Sequence, residues 1–176
     1  MQRVLVVGAP GSGKSTLARA LGERTGLPVI HLDRMFWRPG WRRQDPASWH
    51  ALVAEAVARD IWIIEGNYRT AQELALPRAD TVLWTDVAPW RCCFRVLWRH
   101  VRSGGRNRPD MADGCPDRID QDLLRTIWNY NSIDRQNLVR RLGQYGCHLR
   151  PVILRTDRDK AAFLAGLPAR TAVQPQ

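Results

Sequence analysis

The 176-residue chain has no apolar run approaching the ~20 residues that would span a bilayer. Its first ten residues contain four consecutive apolar side chains, Val4 to Val7, before Gly8. That is too short for the core of an export signal, so a cytoplasmic location and no membrane association are expected. Cysteine is sparse. Cys92, Cys93, Cys115 and Cys147 form no C-x-x-C pair, and two adjacent thiols make a poor start to a zinc site. Free thiols in a reducing compartment are expected. Lysine is scarcer still: of 27 basic residues, only Lys14 and Lys160 are not arginine. Internal repeats, low-complexity tracts and a helix-turn-helix or other DNA-reading motif are also missing.

What remains has the composition of an ordinary globular protein, 44% hydrophobic and 25% charged. The length fits a single domain over residues 1–176, able to bury a core without staples. The formal charge is +10. Arginine-rich base composition and an anionic partner, whether nucleotide phosphates or nucleic acid, both account for it.

Strand and helix patterns alternate along the chain, which predicts a parallel sheet with helices on both faces. Val4-Leu5-Val6-Val7 reads as a central strand buried on both sides. A glycine-rich turn and a helix over about 15–24 follow, ended by Gly26 and Pro28. Further strands are predicted at 29–32, 61–64, 81–85 and 151–154, with a helix from a Ser48 cap to about Arg59 and a last one capped by Thr156 or Asp157. The tail after Pro168 reads as frayed. Between the last two strands, about 89–145, lies a helical stretch broken by a Gly-, Pro- and Asp-rich loop over 103–116, the place for a mobile lid.

Gly8-Ala9-Pro10-Gly11-Ser12-Gly13-Lys14-Ser15 matches G-x-x-x-x-G-K-[ST] in full, between a strand and a helix. Glycines let the backbone curl its N–H groups onto phosphate oxygens, and the helix N-terminus adds a favourable dipole. The expected nucleotide-binding residues are therefore Gly8, Gly11, Ser12, Gly13, Lys14, Ser15 and Thr16, with Lys14 on the β/γ-phosphates of ATP and Ser15 on Mg²⁺. A chain so committed to arginine keeps a lysine where a point charge is wanted.

Ligands of open parallel sheets bind beyond the carboxyl ends of the strands. Asp33, Glu65 and Asp86 stand at such ends. Glu65, after Ile-Trp-Ile-Ile, is placed to hold Mg²⁺ with Ser15. Asp33 either orients an acceptor hydroxyl or caps a helix and pairs with Arg34. Asp86 and His31 read as structural. Arg69 either clamps an anionic acceptor group or forms a surface salt bridge. Phe36, Trp37 and Trp41 flank a Pro39-Gly40 turn, as core packing or as an aromatic wall for a base.

Arg91, Arg95, Arg99 and Arg102 share one helical face, and Arg106 and Arg108 extend the run with no acid between Val87 and Pro109. Trp90, Phe94, Leu97, Trp98 and Val101 lie on the adjacent face and are expected to be buried. The arginines either close over transferring phosphates, with Arg91 and Arg95 as candidates, or bind nucleic-acid phosphates, or form a solvated basic face.

Together with the glycine turn, three segments resemble a bacterial group described as adenylate-kinase-like P-loop proteins, or DNA topology modulation proteins related to a flagellar gene regulator. They are His31 to Trp41, Ile64-Glu65-Gly66-Asn67-Tyr68, and the loop from Arg108-Pro109-Asp110-Met111 to Gly114-Cys115-Pro116. The resemblance covers about residues 1–155. It implies an α/β P-loop NTPase three-layer sandwich, a five-stranded parallel sheet of order 2-3-1-4-5, and a helical lid. Glu65-Gly66-Asn67-Tyr68-Arg69 is similar in place to the Asp-Gly-Phe-Pro-Arg segment of adenylate kinases, whose arginine contacts the acceptor phosphate. The acceptor segment and lid signatures of adenylate kinases are missing, and Asp33 looks more like the aspartate that meets the acceptor hydroxyl in kinases of the shikimate or gluconate type. The function expected is ATP-dependent phosphoryl transfer to a small acceptor. The alternative is a nucleotide-gated, non-enzymatic regulator that binds DNA through its basic face.

Overall fold

A computed structural model describes residues 1–168. In chain order the elements are β1 (Arg3–Gly8), α1 (Lys14–Thr25), β2 (Val29–His31), α2 (Leu32–Phe36), β3 (Trp37–Arg38), β4 (Arg42–Arg43), α3 (Pro46–Ala58), β5 (Trp62–Glu65), α4 (Arg69–Ala75), β6 (Thr81–Thr85), α5 (Pro89–Ser103), α6 (Gln121–Asn129), α7 (Asp134–Tyr145), β7 (Val152–Ile153) and α8 (Asp157–Ala165). The expectation of a frayed tail after Pro168 falls outside the described residues.

The main sheet is parallel throughout, in the order β2-β5-β1-β6-β7. The two-residue strands β3 and β4 form a separate antiparallel hairpin that the sequence pattern did not indicate. Without that hairpin, the five sheet strands follow the expected 2-3-1-4-5. Strand residues alternate between two cores, as a period of two requires. Leu5, Val7, Trp62, Ile64, Val82 and Trp84 face α3, α4 and α7, while Val4, Val6, Ile63 and Leu83 face α1 and α8. Register makes His31, Glu65 and Val6 neighbours and sets Gly8 against Thr85, so the carboxyl ends of β2, β5, β1 and β6 lie level.

Several local readings are corrected. Asp45, not Ser48, caps α3: its carboxylate accepts the Ser48 N–H at 2.9 Å, with Pro46 at the first helical turn. Of the two caps expected for α8, Thr156 is the one used, in a capping box with Asp159. The apolar face of α5 is exposed, with Trp90 and Phe94 each 63% accessible and Val101 76%. The helix instead buries Cys92 and Val96 against Ala9, Ile127 and Tyr130. A Cβ at Gly11 would meet the Cys92 carbonyl at 2.6 Å, so only a narrow, small-residue helix face can come this close to the turn.

The segment expected as a lid divides in two. α7 packs into the body, with Leu138 fully buried beside Trp49, Leu76 and Trp84 and flanked by Leu142 and Tyr145. The loop between α5 and α6 packs instead on the β3–β4 hairpin, Met111 and Cys115 against Trp37 and Trp41. Leu138→Ala is therefore expected to cost about 2–5 kcal/mol in urea unfolding, the penalty of a core cavity. A loss within about 0.5 kcal/mol, typical of a surface site, would place α7 outside the body.

Candidate functional site

The turn between β1 and α1 is built by three residues in the left-handed region, Gly8 (φ 146°), Gly11 (φ 79°) and Gly13 (φ 89°). No side chain caps α1, so its first-turn N–H groups at Lys14, Ser15 and Thr16 have no capping acceptor. The outward carbonyls of the turn are satisfied from several directions. Lys14 Nζ donates to Ala9 O at 3.0 Å. Lys160 Nζ, from α8, donates to Ser12 O at 2.6 Å, and Arg95 reaches the same oxygen at 3.4 Å. Thr85 Oγ1 donates to Val7 O at 3.1 Å and accepts from the buried Ser12 hydroxyl at 2.6 Å. The Ser12 side chain thus serves the turn itself.

Asp33 sits in the first turn of α2, level with the end of β2. Tyr68 Oη donates to Asp33 Oδ1 at 2.6 Å, which leaves the second carboxylate oxygen for another donor. Burial, and then the Glu65 carboxylate, push the Asp33 carboxyl above its ordinary value, opposed by Tyr68, Lys14 and Arg108. Burial and Asp33 push the Tyr68 phenol strongly up, so it stays a donor. Glu65 is 2% exposed and is engaged by His31 Nδ1 at 2.8 Å. The acid expected at the metal is therefore held by the residue read as structural. Phe36 and Trp49 pack against Tyr68 with ring centroids 4.7 and 5.0 Å away and fix the phenol.

The loop between α5 and α6 adds a second set of charges. Arg108 lies between Asp110 (Nη1–Oδ2 3.4 Å) and Asp117 (Nε–Oδ1 3.4 Å) and acts electrostatically on Asp33. Asp117 is also held by Arg99 through two bonds of 3.0 and 3.2 Å. Asp110 is 6% exposed, with the Arg108 guanidinium beside it. Burial raises its carboxyl, but Arg108, Ser15 and His31 outweigh that and hold it below the usual range. Met111 and Cys115 pack on Trp37 and Trp41 of the hairpin, so the aromatic pair covers the loop, while Phe36 joins the core.

Lys14, Ser15, Asp33 and Glu65 are thus gathered at one end of the sheet. Arg69 is not among them: it is 76% exposed and pairs with Glu73 at 2.7 Å. Arg91 is exposed over the Trp90 ring. Arg95 reaches the outer rim of the turn and Asp157 at 2.6 Å. Asp86 forms ion pairs with Arg135 and Arg155. With Arg95, Arg99 and Arg108 paired to carboxylates, the basic run is not a continuous free stripe. Sequence reasoning missed Tyr68, Asp110 and the partnership of His31 with Glu65. The alternation of His31 with Asp33 was the only signal for the last, while Tyr68 and Asp110 stood in segments that carry the family resemblance without a role of their own.

Comparisons with known proteins bear on the fold and the phosphate turn. The model of the ATPase family associated with various cellular activities (AAA) matches residues 4–70, which hold the phosphate turn, Asp33 and Glu65. A shikimate kinase of Symbiobacterium thermophilum is 29% identical over 135 residues, 66% of this chain and 72% of that protein. The structure of shikimate kinase from Acinetobacter baumannii in complex with shikimate superposes with a TM-score of 0.58 at 16% identity, covering 92% of this chain and 88% of that one. Shikimate kinase from Bacteroides thetaiotaomicron gives 0.50 at 17% identity, over 93% and 94%. These two structures share the fold. Fold, phosphate turn and sequence relative together make this chain similar to P-loop kinases. Among the described residues, no helix is long and apolar enough to cross a membrane.

The raised Asp33 carboxyl has a stability consequence. The native state keeps this proton to higher pH than the unfolded chain, so native stability falls as pH rises from the unfolded value near 3.8 through the native one. Asp33→Asn, which still accepts from Tyr68, is expected to raise Tm at pH 7 and to lose that advantage near pH 3.5. Thermal unfolding at both pH values checks this; an unchanged or lowered Tm at pH 7 would contradict it.

Proposed function

We propose that the protein transfers the γ-phosphoryl group of ATP to a hydroxyl group of a small acceptor. One observation carries this reading. A carboxylate with a raised proton affinity, Asp33, stands at the strand ends with one oxygen fixed by Tyr68 and with Lys14 and Arg108 within electrostatic reach. A base of this kind suits a neutral hydroxyl, whose proton must leave as the phosphoryl arrives. A nucleoside monophosphate offers an oxygen that is already anionic, which Asp33 and Glu65 would repel. The exposed Arg69 gives such an acceptor no clamp. An alcohol acceptor is therefore favoured over a phosphate acceptor.

In this reading the N–H groups of Gly13, Lys14, Ser15 and Thr16 cradle the phosphates. Lys14 and Arg108 neutralise charge spreading over the transferring group. A cleft of about 430 Å³ between α1 and α8, lined by Gly13, Thr16, Leu17, Arg95, Asp157 and Lys160, adjoins the turn and receives the nucleoside. Magnesium, when bound with ATP, supplies further charge neutralisation on the phosphates. The hydroxyl of Ser15 is a hard oxygen donor that suits such an ion. The resemblance to the DNA topology modulation group belongs to this same reading, as a kinase core whose acceptor is a small molecule.

The test is phosphorus NMR of Mg·ATP with the purified protein, alone, then with pooled nucleoside monophosphates, then with pooled polyols, sugar acids and shikimate-like alcohols. A new phosphoester signal in the alcohol pool is expected. Asp33→Asn should slow its growth by about two to four orders of magnitude, and folded Lys14→Ala should abolish it. A signal confined to the monophosphate pool would overturn the acceptor class, and turnover of wild-type rate in folded Lys14→Ala would overturn the kinase reading.

A further inference from the structure

α5 carries its largest apolar side chains on the side turned away from the body. The side that packs inward is narrow, with Cys92 and Val96 fully buried. Trp90, Phe94, Leu97, Trp98 and Val101 follow helical spacing and form one stripe on the opposite side. Trp98 is 59% exposed and Leu97 46%, beside the still more open Trp90, Phe94 and Val101. The rings of Phe94 and Trp98 lie within 10° of parallel, centroids 6.4 Å apart, and make a flat platform in the middle of the stripe. Single exposed apolar residues are ordinary on a protein surface, whereas five on one helix face mark a contact.

The size of the stripe matches one interface. Its three aromatic side chains measure ~150–250 Å² each and are more than half exposed, so with Leu97 and Val101 it presents on the order of 500 Å² of apolar surface. A stable interface buries about 800 Å² per partner, of which roughly 56–65% is apolar. The arrangement of side-chain sizes singles out the partner. Run backwards, the stripe has nearly the same spacing: Trp90 and Val101 at its ends, Phe94 and the Leu97-Trp98 pair between them. An antiparallel copy of α5 across a two-fold axis sets Trp90 opposite Val101, and Phe94 opposite Leu97 and Trp98, and each contact repeats across the axis. Large then faces small at both ends, as interdigitating packing requires. We infer that two copies of this chain associate through this stripe, with their α5 helices antiparallel. Both phosphate turns stay open in such a dimer, because each lies on the other side of α5, where Gly11 meets the Cys92 carbonyl. The pairing is independent of the kinase reading.

Charge gives the test its sign. Arg91 and Arg102 border the stripe on one flank, both exposed, and among the described residues neither forms an ion pair. Arg91 lies over the Trp90 ring. An antiparallel two-fold brings equal flanks together, so Arg91 of one protomer approaches Arg102 of the partner subunit. That repulsion is screened by salt, so the dimer tightens as ionic strength rises. An anionic lipid or nucleic acid on the same face would instead be released by salt.

Sedimentation velocity of the full chain measures the association, at protein concentrations from about 1 to about 100 µM and in about 50 mM and about 500 mM NaCl. A species of twice the chain mass is expected to grow with concentration, with a lower dissociation constant in the higher salt. Phe94→Arg places a charge at the centre of an exposed stripe, so it should weaken association by about thirtyfold or more and leave the circular dichroism unchanged. Leu97→Arg carries the test if Phe94→Arg does not fold. Arg102→Glu should strengthen the dimer several-fold in low salt, since it turns the repulsion from Arg91 into attraction. A wild type that stays monomeric at the highest concentration in both salts would overturn the inference, as would a dimer left intact by both arginine variants. A monomer that floats with vesicles of anionic phospholipid would overturn it too and assign the stripe to a lipid surface.

Discussion

Everything at the working end of this molecule depends on a backbone turn that has to present its N–H groups to an anion. Such a turn points its carbonyls outward, where each needs a donor. Three glycines supply the dihedral angles, and the surroundings supply the donors: Lys14 for Ala9, Lys160 and Arg95 for Ser12, Thr85 for Val7. Because a Cβ at Gly8 would strike Thr85 at 2.2 Å and one at Gly11 the Cys92 carbonyl at 2.6 Å, the turn also sets how closely β6 and α5 approach. The positions of α5 and α8 follow from the carbonyls and gaps of this one loop.

The catalytic side depends on a second constraint, the crowding of negative charge. Asp33 and Glu65 converge on a small region, and each is held by a different device: Tyr68 for Asp33 and His31 for Glu65. Burial, and after it the Glu65 carboxylate, raise the Asp33 carboxyl. Structure elsewhere offsets that cost. The core buries Leu5, Ile64, Leu76 and Leu83 completely, and the aromatic cluster of Phe36, Trp49 and Tyr68 braces the phenol against Asp33. A site arranged to stabilise a transferring group that is itself anionic has to store this kind of imbalance.

Much of this was legible in the sequence, for identifiable reasons. Each sheet strand is a short apolar run ended by a polar residue, and the glycine turn between Val7 and Lys14 fixes where the sheet begins to do chemistry. The order of the strands follows once the turn is known. The elements that escaped are short: α2, the β3–β4 hairpin and α4 span two to seven residues each, too few to show a period. The apolar face of α5 misled for a different reason. Amphipathic spacing tells which side of a helix is oily, whereas packing against a glycine turn selects the side with small residues, here Cys92 and Val96. Asp110 lies in a loop whose anchors, Gly114 and Cys115, meet partners remote in sequence on the hairpin. No local pattern encodes such a meeting.

The scarcity of lysine has a chemical outcome. Both lysines of the chain end on the same turn, Lys14 on the Ala9 carbonyl and Lys160 on the Ser12 carbonyl. Side-chain primary amines elsewhere are replaced by guanidinium groups, which ordinary acylating and reductive-alkylating reagents do not attack. Amine chemistry on this protein is therefore confined to its N-terminus and to the rim of one loop. Apart from the N-terminal amine, such a reagent would act as an affinity label, and the rate of modification at Lys14 and Lys160 would report whether that loop is occupied.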